Sequence, residues 1–517
     1  MAIGNDPLAG QVQCYETKRA GHSAEKGRPI TPWVQHPLPL HQEEARFSTP
    51  PKYYPPHLER LRADLAAGRA VLPKVSATVS AGPSPRVRQA LGSLKTFDSI
   101  DSPATAYDAQ IAAGPDHLLV VTNYDAAVMK KTDGTLVATL SLMTWFSTVL
   151  PAGVTKVFDP RVLYDQHDDR WVLVASGAHY PDFTSGVQLL SVSCTSNPED
   201  GWWVWGFPET VDGTAWWPDH PTLGVDAHAL YLSANLYVDP AGLGDARLRV
   251  IPKDGPYAGD LVSYTEFLKL RDPKDAEHPE LAPASTVFPC HTWGAPGVEY
   301  LVSTRKGKEH QDAETMLTLW SVIDPTGNPE LTCRSVSVSG YVYVVPDVPQ
   351  KDGPKVVAGD AKVRSAVFSG GSIWLAFATS LRVENSDVAA IRWYQLDPVA
   401  GQRVQEGTFA LGGIHHCYPA IIPDMHGNAA LIVGRSSPDE HISIHVTARK
   451  ATDPLNQLPP TQVLHAGMSG HEHPEKQRWG DYHGAVLDPT DGVTLWLYGA
   501  YPKTRNTWGT VVGKLRV

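Results

Sequence analysis

The stretch FDPRVLYDQHDDRWVLVAS, residues 158–176, reads as one hairpin. Phe158 to Tyr164 is a short, largely apolar run. Asp165, Asp168 and Asp169 then turn the chain, and Trp171 starts a second apolar run. Asp, Asn and Gly suit such turns because they tolerate tight or left-handed backbone. The same plan recurs in AYDAQIAAGPDHLLVVTN, DHPTLGVDAHALYLSANLY, HTWGAPGVEYLVSTR, VRSAVFSGGSIWLAFATS, CYPAIIPDMHGNAALIVGRS and GDYHGAVLDPTDGVTLWLYGA. These seven openings stand roughly 45–75 residues apart, a period with room for about four strands per unit.

One four-stranded sheet cannot cover its own two faces. A ring of such sheets buries both faces of each and leaves few free edges. The pattern therefore predicts an all-β, seven-bladed β-propeller over residues 101–517, or a six-bladed one if the HTWG unit is decoration. The last unit is one strand short before Val517, so the ring is expected to close with a strand from near VRQALGSLKTFDS. Residues 1–100 read as an extended, Pro-rich N-terminal arm. Its one helical phrase is HLERLRADLAAG, where Leu58, Leu61 and Leu65 have helical spacing and Gly68 stops the turn.

Composition agrees with short strands and many turns. Trp (15) and Tyr (19) outnumber Phe (11), beside 43 Gly and 44 Pro. A net charge of −11 and the lack of a basic cluster argue against a nucleic-acid partner. No apolar run reaches the ~18–20 residues needed to cross a bilayer. The N-terminus lacks the apolar centre of a leader peptide, so a cytoplasmic location is expected, or secretion if a leader was removed from a precursor. Five cysteines without a CxxC pair do not read as a disulfide framework or a zinc knuckle.

DAQIAAGPDHLLVVTN, FDPRVLYDQHDDRWVLVAS, DHPTLGVD, RSAV and RWGDYHGAVLDP resemble, in this order, the phrases of bacterial sialidase-like (BNR/Asp-box-type) propeller proteins. The resemblance spans about residues 105–517. It implies the propeller fold, and a site assembled from an arginine cluster, a tyrosine and an acid. The sequence also departs from sialidases proper. SNPEDGWWVW has Pro198 where an Asp-box has its hydroxyl. His220 stands for the group's Tyr in DYP, and His483 for its Ser in GDYS.

Superposing the openings collects ionisable residues at the entrances of the innermost strands. Asp159, His220, Tyr418 and Tyr482 fall in one column, and Asp219 and Asp481 in the column before it. Such clusters perturb one another's pKa values, and functional sites gather them. In a hydrolase reading, Asp159, Asp219 or Asp481 acts as acid or base and Tyr482 as nucleophile or proton donor, with His483 beside them. Arg161, Arg364 and Arg478, with His220 and Tyr418, bind substrate. In a second reading, His220, His291, His416 and His483 converge on a divalent metal ion such as Fe, Cu or Zn, although no linear spacing backs a ligand set. A third reading is a non-catalytic, ligand- or protein-binding propeller. In every reading, Asp can serve as turn cap, Arg as ion-pair partner and Trp as packing. The expected substrate is a small polar or glycan-like molecule. No cofactor is certain, and a protein partner is not legible.

Overall fold

The computed structural model describes residues 11–23, 25–32, 60–61, 63–64, 67, 92–102, 107–211, 213–238, 243–274, 282–306, 313–472 and 477–517. Among these residues, regular structure is almost wholly β, with two five-residue helices at Leu142–Phe146 and Asp254–Ala258. The protein is an all-β propeller. Five separate sheets of four or five strands form blades. In chain order they start at Gln110–Ala113, Lys156–Asp165, Phe288–Pro289, His415–Pro423 and Gly484–Leu487. Each innermost strand is followed by a strand paired antiparallel to it.

A further sheet has eleven strands. It holds two antiparallel runs, Trp217–Val225 through Ser263–Asp272 and Ser365–Ser369 through Gln402–Phe409. Among the described residues they are joined only by His291–Thr292, which bridges in parallel to Val225 on one side and to Val367 and Phe368 on the other.

The quoted hairpin pairs as read, with Trp171 opposite Tyr164 and Arg170 opposite Asp165. Its first strand, Lys156–Asp165, is buried at every position, as a strand between a channel and two neighbouring blades must be. Carboxylates fix the turns. Asp165, Asp226 and Asp424 each accept the backbone N–H of the residue two places on, at 2.9, 2.7 and 2.9 Å. In the shortest hairpin Ser369 pairs with Ser372, and Gly370 and Gly371 between them hold φ of 58° and 79°. That left-handed pair is what a two-residue turn demands of its glycines. The apolar core lies between blades. Trp171, for example, packs in one cluster with Ala112 and Leu119 of the preceding sheet.

The N-terminal segment is built into the ring. Leu94–Ser102 pairs antiparallel with Thr507–Leu515 and supplies the last sheet's fourth strand, which is the closure the sequence leads one to expect. Further upstream the chain adds edge strands to three successive sheets. Arg28–Ile30 lies on Trp202–Pro208, Tyr15–His22 on Ser263–Asp272, and Val12–Gln13 on Glu330–Val342. Each covers an edge that would otherwise expose unpaired backbone groups. Residues 60, 61, 63 and 64 are helical, and Ala67 N–H donates to Ala63 O at 2.9 Å. Leu58, Leu65 and Gly68 lie outside the described residues. No helix among the described residues is long and apolar enough to cross a membrane.

One expectation is corrected here. Cys14 and Cys333 form a disulfide, 319 residues apart in sequence. Strand pairing causes the meeting, because Val12 lies opposite Cys333. Cys14→Ser is expected to lower unfolding stability by about 2–4 kcal/mol in urea titration. A non-reducing peptide map should recover the two segments as one linked species, and finding both thiols free would remove the pairing.

Candidate functional site

The entrances of the inner strands share a backbone device. Asp108, Asp159, His220, Thr286 and Tyr418 have φ of 46°, 53°, 50°, 51° and 51°. Left-handed backbone costs a non-glycine residue roughly 1–2 kcal/mol, so it persists only where surroundings hold it. Beside three of them the strand pairing slips, between Val174 and Ser176, between Asp219 and Thr222, and between Cys417 and Ala420. Asp159–Pro160, His220–Pro221 and Tyr418–Pro419 are thus bulges that re-aim the strand as it enters the ring. Tyr482 shares their sequence column but not their conformation. Its hydroxyl donates to Pro160 O at 3.0 Å.

Neighbouring blades hold the bulges in place. Asn123 Oδ1 accepts from Asp159 N at 2.6 Å, and Asn235 Oδ1 accepts from Thr286 N at 2.7 Å. Both asparagines lie at or near the end of a second strand and reach the next unit's left-handed residue. Asp159 Oδ2 in turn accepts from His220 N at 3.1 Å. Asn123→Ala leaves a buried N–H unpaired and is expected to cost about 1–3 kcal/mol by urea unfolding.

Around these locks lies a buried acid group. Asp108 accepts from Asn123 Nδ2 and from Asp481 N. Its carboxyl lies beside that of Asp159, and charge on Asp108 disfavours charge on Asp159. Burial, then Asp481, pushes Asp108 above its ordinary range, with Arg478 pulling the other way. Burial, then Asp108, Asp219 and Asp481, pushes Asp159 well above its own. Asp481 is different, because Arg478 Nη2 donates to its Oδ2 at 2.9 Å. Burial works against the Arg478 charge, but Asp481, Asp108 and Asp159 outweigh it and hold the guanidinium more firmly protonated. Lys156 completes the group. Burial, then Arg478, pulls its amine down to about 7 despite Asp159 and Asp108. Its Nζ lies 5.0 Å from the Tyr180 ring centre and 6.0 Å from that of Tyr124. Asp219, half-buried, stands opposite Asn235.

Further along the inner strands is a small axial cavity of about 60 Å³, lined by Gln110, Arg161, His291, Arg364, Ser365 and His483 among apolar neighbours. Arg161 lies flat against Tyr482, its guanidinium carbon 3.4 Å from the ring centre. It donates through Nε to Pro221 O at 3.3 Å, and its Nη2 lies 3.5 Å from His220 Nε2. Arg364 donates to Asp360 Oδ1 at 2.8 Å and lies 3.4 Å from the same His220 nitrogen. Burial, then Arg364 and Arg161, lowers the His220 pKa far below its usual value, so the ring is neutral between the two cations.

The structure thus brings together Asp159, Asp481, Tyr482, Arg161, Arg364, His220 and Arg478. The His220 and Tyr482 rings are 5.8 Å apart, and those of Tyr418 and His483 are 6.2 Å apart. The proposed metal quartet is not assembled. His291 bonds Gln166 Oε1 at 2.8 Å, in the dipeptide that joins the two runs of the large sheet. His416 packs edge-on against Phe409 at 4.7 Å, and His483 lies against Tyr418 and Trp479. Among the described residues no group of three or more His, Cys, Asp or Glu can hold a metal ion. The four histidines stand at different positions relative to their strand entrances, so ring closure gives each its own neighbours and not one shared ion site. Trp202, Trp205 and Trp217 are buried in packing, and Trp217 stacks on Tyr237 at 4.9 Å.

Sequence comparison of the openings missed Asp108, Asn123 and Lys156. Asp108 had a usable signal, since Tyr107–Asp108 occupies the place of Phe158–Asp159 in the repeat. Its following Ala109, in place of Pro, hid the match.

No family model matches the chain, and no curated protein matches it at a significant level. Solved structures similar to it include a protein of unknown function from Dyadobacter fermentans, with TM-score 0.38 and 12% identity, covering 81% of this chain and 99% of that one. Drosophila Plexin A in complex with Semaphorin 1b gives TM-score 0.35 and 7% identity, covering 86% and 88%. An endo-arabinase from Bacteroides thetaiotaomicron gives TM-score 0.31 and 13% identity, covering 57% and 93%.

Proposed function

We propose that the protein is a hydrolase acting on a small polar or glycan-like substrate at the mouth of its channel. The observation that carries this is the convergence of the buried carboxyls of Asp108, Asp159 and Asp481, held by Asn123, by the His220 backbone and by Arg478. A carboxyl whose pKa is raised, as burial and then the neighbouring carboxylates raise that of Asp159, can serve as a general acid. In this reading Asp159 gives its proton to the leaving-group oxygen as the bond to carbon breaks. Water adds its hydroxyl to that carbon, and half-buried Asp219 takes the water's remaining proton. Asp108 holds the acid's partner oxygen, and Asp481 is spent on Arg478. Tyr482 serves as a platform under Arg161 rather than as nucleophile, because its hydroxyl is committed to Pro160 O and burial raises its pKa well above the ordinary phenol. Arginines, an acid and a tyrosine together are the assortment implied by the sialidase-like resemblance, which supports a glycan-like substrate.

The same reading divides the eleven-stranded sheet at His291–Thr292 into two blades and gives seven in all. Supporting this, one pair of residues is all that joins its two antiparallel runs.

The test is a panel of aryl glycosides and oligosaccharides, scored by released aglycone or reducing ends from about pH 4 to 9. Turnover is expected to be high at acid pH and to fall as Asp159 loses its proton. A wild-type protein inert on the whole panel at every pH would remove the proposal.

A further inference from the structure

Lys156 takes no part in the proposed hydrolysis. It opens the inner strand Lys156–Asp165, opposite Ala178 and three residues before Asp159, and is only 5% exposed. Its amine lies against two aromatic rings from different sheets. Tyr124 comes from the turn after His117–Val121, and Tyr180 follows Arg170–Ala178. The residue next to the lysine holds the nearer ring. Tyr180 N donates to Thr155 Oγ1 at 2.9 Å, and that hydroxyl donates to Tyr180 O at 3.1 Å. Both tyrosines are half-buried, so the amine sits one side chain beneath the surface of the mouth.

The charges around the amine belong to the acid group. Arg478 is near enough to oppose an ammonium charge, and Asp159 and Asp108 are near enough to favour it. An arginine keeps its proton in a protein, whereas a buried lysine can lose one. Where the two share the same carboxyls, the lysine is the cation that yields. Burial and then Arg478 accordingly bring the Lys156 amine to about 7. Desolvation beside a second cation is a general way to turn a lysine into a nucleophile.

We propose that Lys156 captures the carbonyl carbon of a small aldehyde or ketone as an imine, with Asp159 as the acid that releases water. Nζ bonds to the carbon as the carbonyl π pair moves to oxygen, and the proton leaving nitrogen goes to that oxygen. The hydroxyl so formed then departs as water with the Asp159 proton, while the nitrogen lone pair closes the C=N bond. The cationic imine is left beside the Asp159 carboxylate. This activity needs no glycosidic bond, so it does not rest on the hydrolase reading.

The experiment is reductive trapping on the full chain at pH 7, with glyceraldehyde or hydroxyacetone plus cyanoborohydride, followed by peptide mapping and intact mass. Lys156 should be alkylated about tenfold or more faster than exposed Lys95 and Lys130, and this preference should vanish in the urea-unfolded chain. Trapping of one probe and not the other narrows the substrate to aldehydes or to ketones. Lys156→Arg should lose the fast phase of adduct formation and keep the slow one. Asp159→Asn should still be trapped at Lys156, but about tenfold or more slowly. Trapping by a protein inert on every glycoside would remove the hydrolysis proposal alone. Labelling of Lys156 no faster than Lys95 and Lys130 with both probes, or a fast phase that survives in Lys156→Arg, overturns the assignment. An undiminished rate in Asp159→Asn overturns the role of the acid.

Discussion

Asp159→Asn is expected to lower turnover by about 10²- to 10⁴-fold, the range for losing a positioned general acid, and to do so without unfolding the protein. The amide is close to isosteric. Its oxygen can still accept from His220 N, and its NH₂ can donate to the neighbouring Asp108 carboxylate. What it cannot do is release a proton to a leaving group. The companion Asp108→Asn should retain more activity, because it removes the acid's partner and leaves the acid.

The stability of the same variant has a defined pH dependence. The folded Asp159 carboxyl is raised well above its ordinary value by burial and by three neighbouring carboxylates. The unfolded chain therefore releases this proton at lower pH than the folded one. The contribution to stability is complete below the ordinary carboxyl range and is lost as pH rises through the raised folded value. Asn has no such proton. Relative to wild type, Asp159→Asn should gain stability as pH rises above the ordinary carboxyl range, as read from urea midpoints at a series of pH values. A variant that loses activity and also loses relative stability on this side would mark Asp159 as structural only.

What the sequence discloses and what it conceals follow one rule. Local alternation and turn chemistry are written over adjacent residues, so the hairpin at 158–176 and the Asp-capped turns can be read from the letters. Asp159, His220 and Tyr418 could be aligned because Pro follows each one. Direction and pairing across the ring are not local. Arg161 and Arg478 look alike in sequence, yet one meets a carboxylate and the other the face of Tyr482. His416 and His483 sit near equivalent strand entrances, but one packs on the outer strand's Phe409 and the other lines the axis. Cys14 and Cys333 meet only because the N-terminal chain runs backwards over three units, and no spacing between the two cysteines encodes that.

A chain beginning at residue 103 is expected not to fold, whereas one beginning at residue 92 should fold with reduced stability. The difference is the strand Leu94–Ser102. It closes the last sheet against Thr507–Leu515, and Leu94, Phe97 and Ile100 pack onto the largest apolar cluster. At about 1.5–3 kcal/mol for a fully buried large apolar side chain, and less for half-buried Leu94 and Phe97, these three supply roughly 3–6 kcal/mol. That approaches the whole stability of an ordinary domain, before counting the ladder bonds and the exposed edge. Among the described residues, the shorter truncation loses the outer edge strands, the helical residues around Leu61 and the Cys14–Cys333 link. Soluble yield, near-UV circular dichroism and a cooperative melt distinguish the two chains. The failing chain should also be rescued from its other end. Arg516 N–H donates to Ser93 O at 3.2 Å, so residues 92–102 fused after Val517 through a short turn can re-form the strand as a hairpin. Equal cooperative melting of the 103–517 and 92–517 chains would show that the ring does not depend on this closure. Restoration by the fused strand would show that pairing position, not order along the chain, is what closes it.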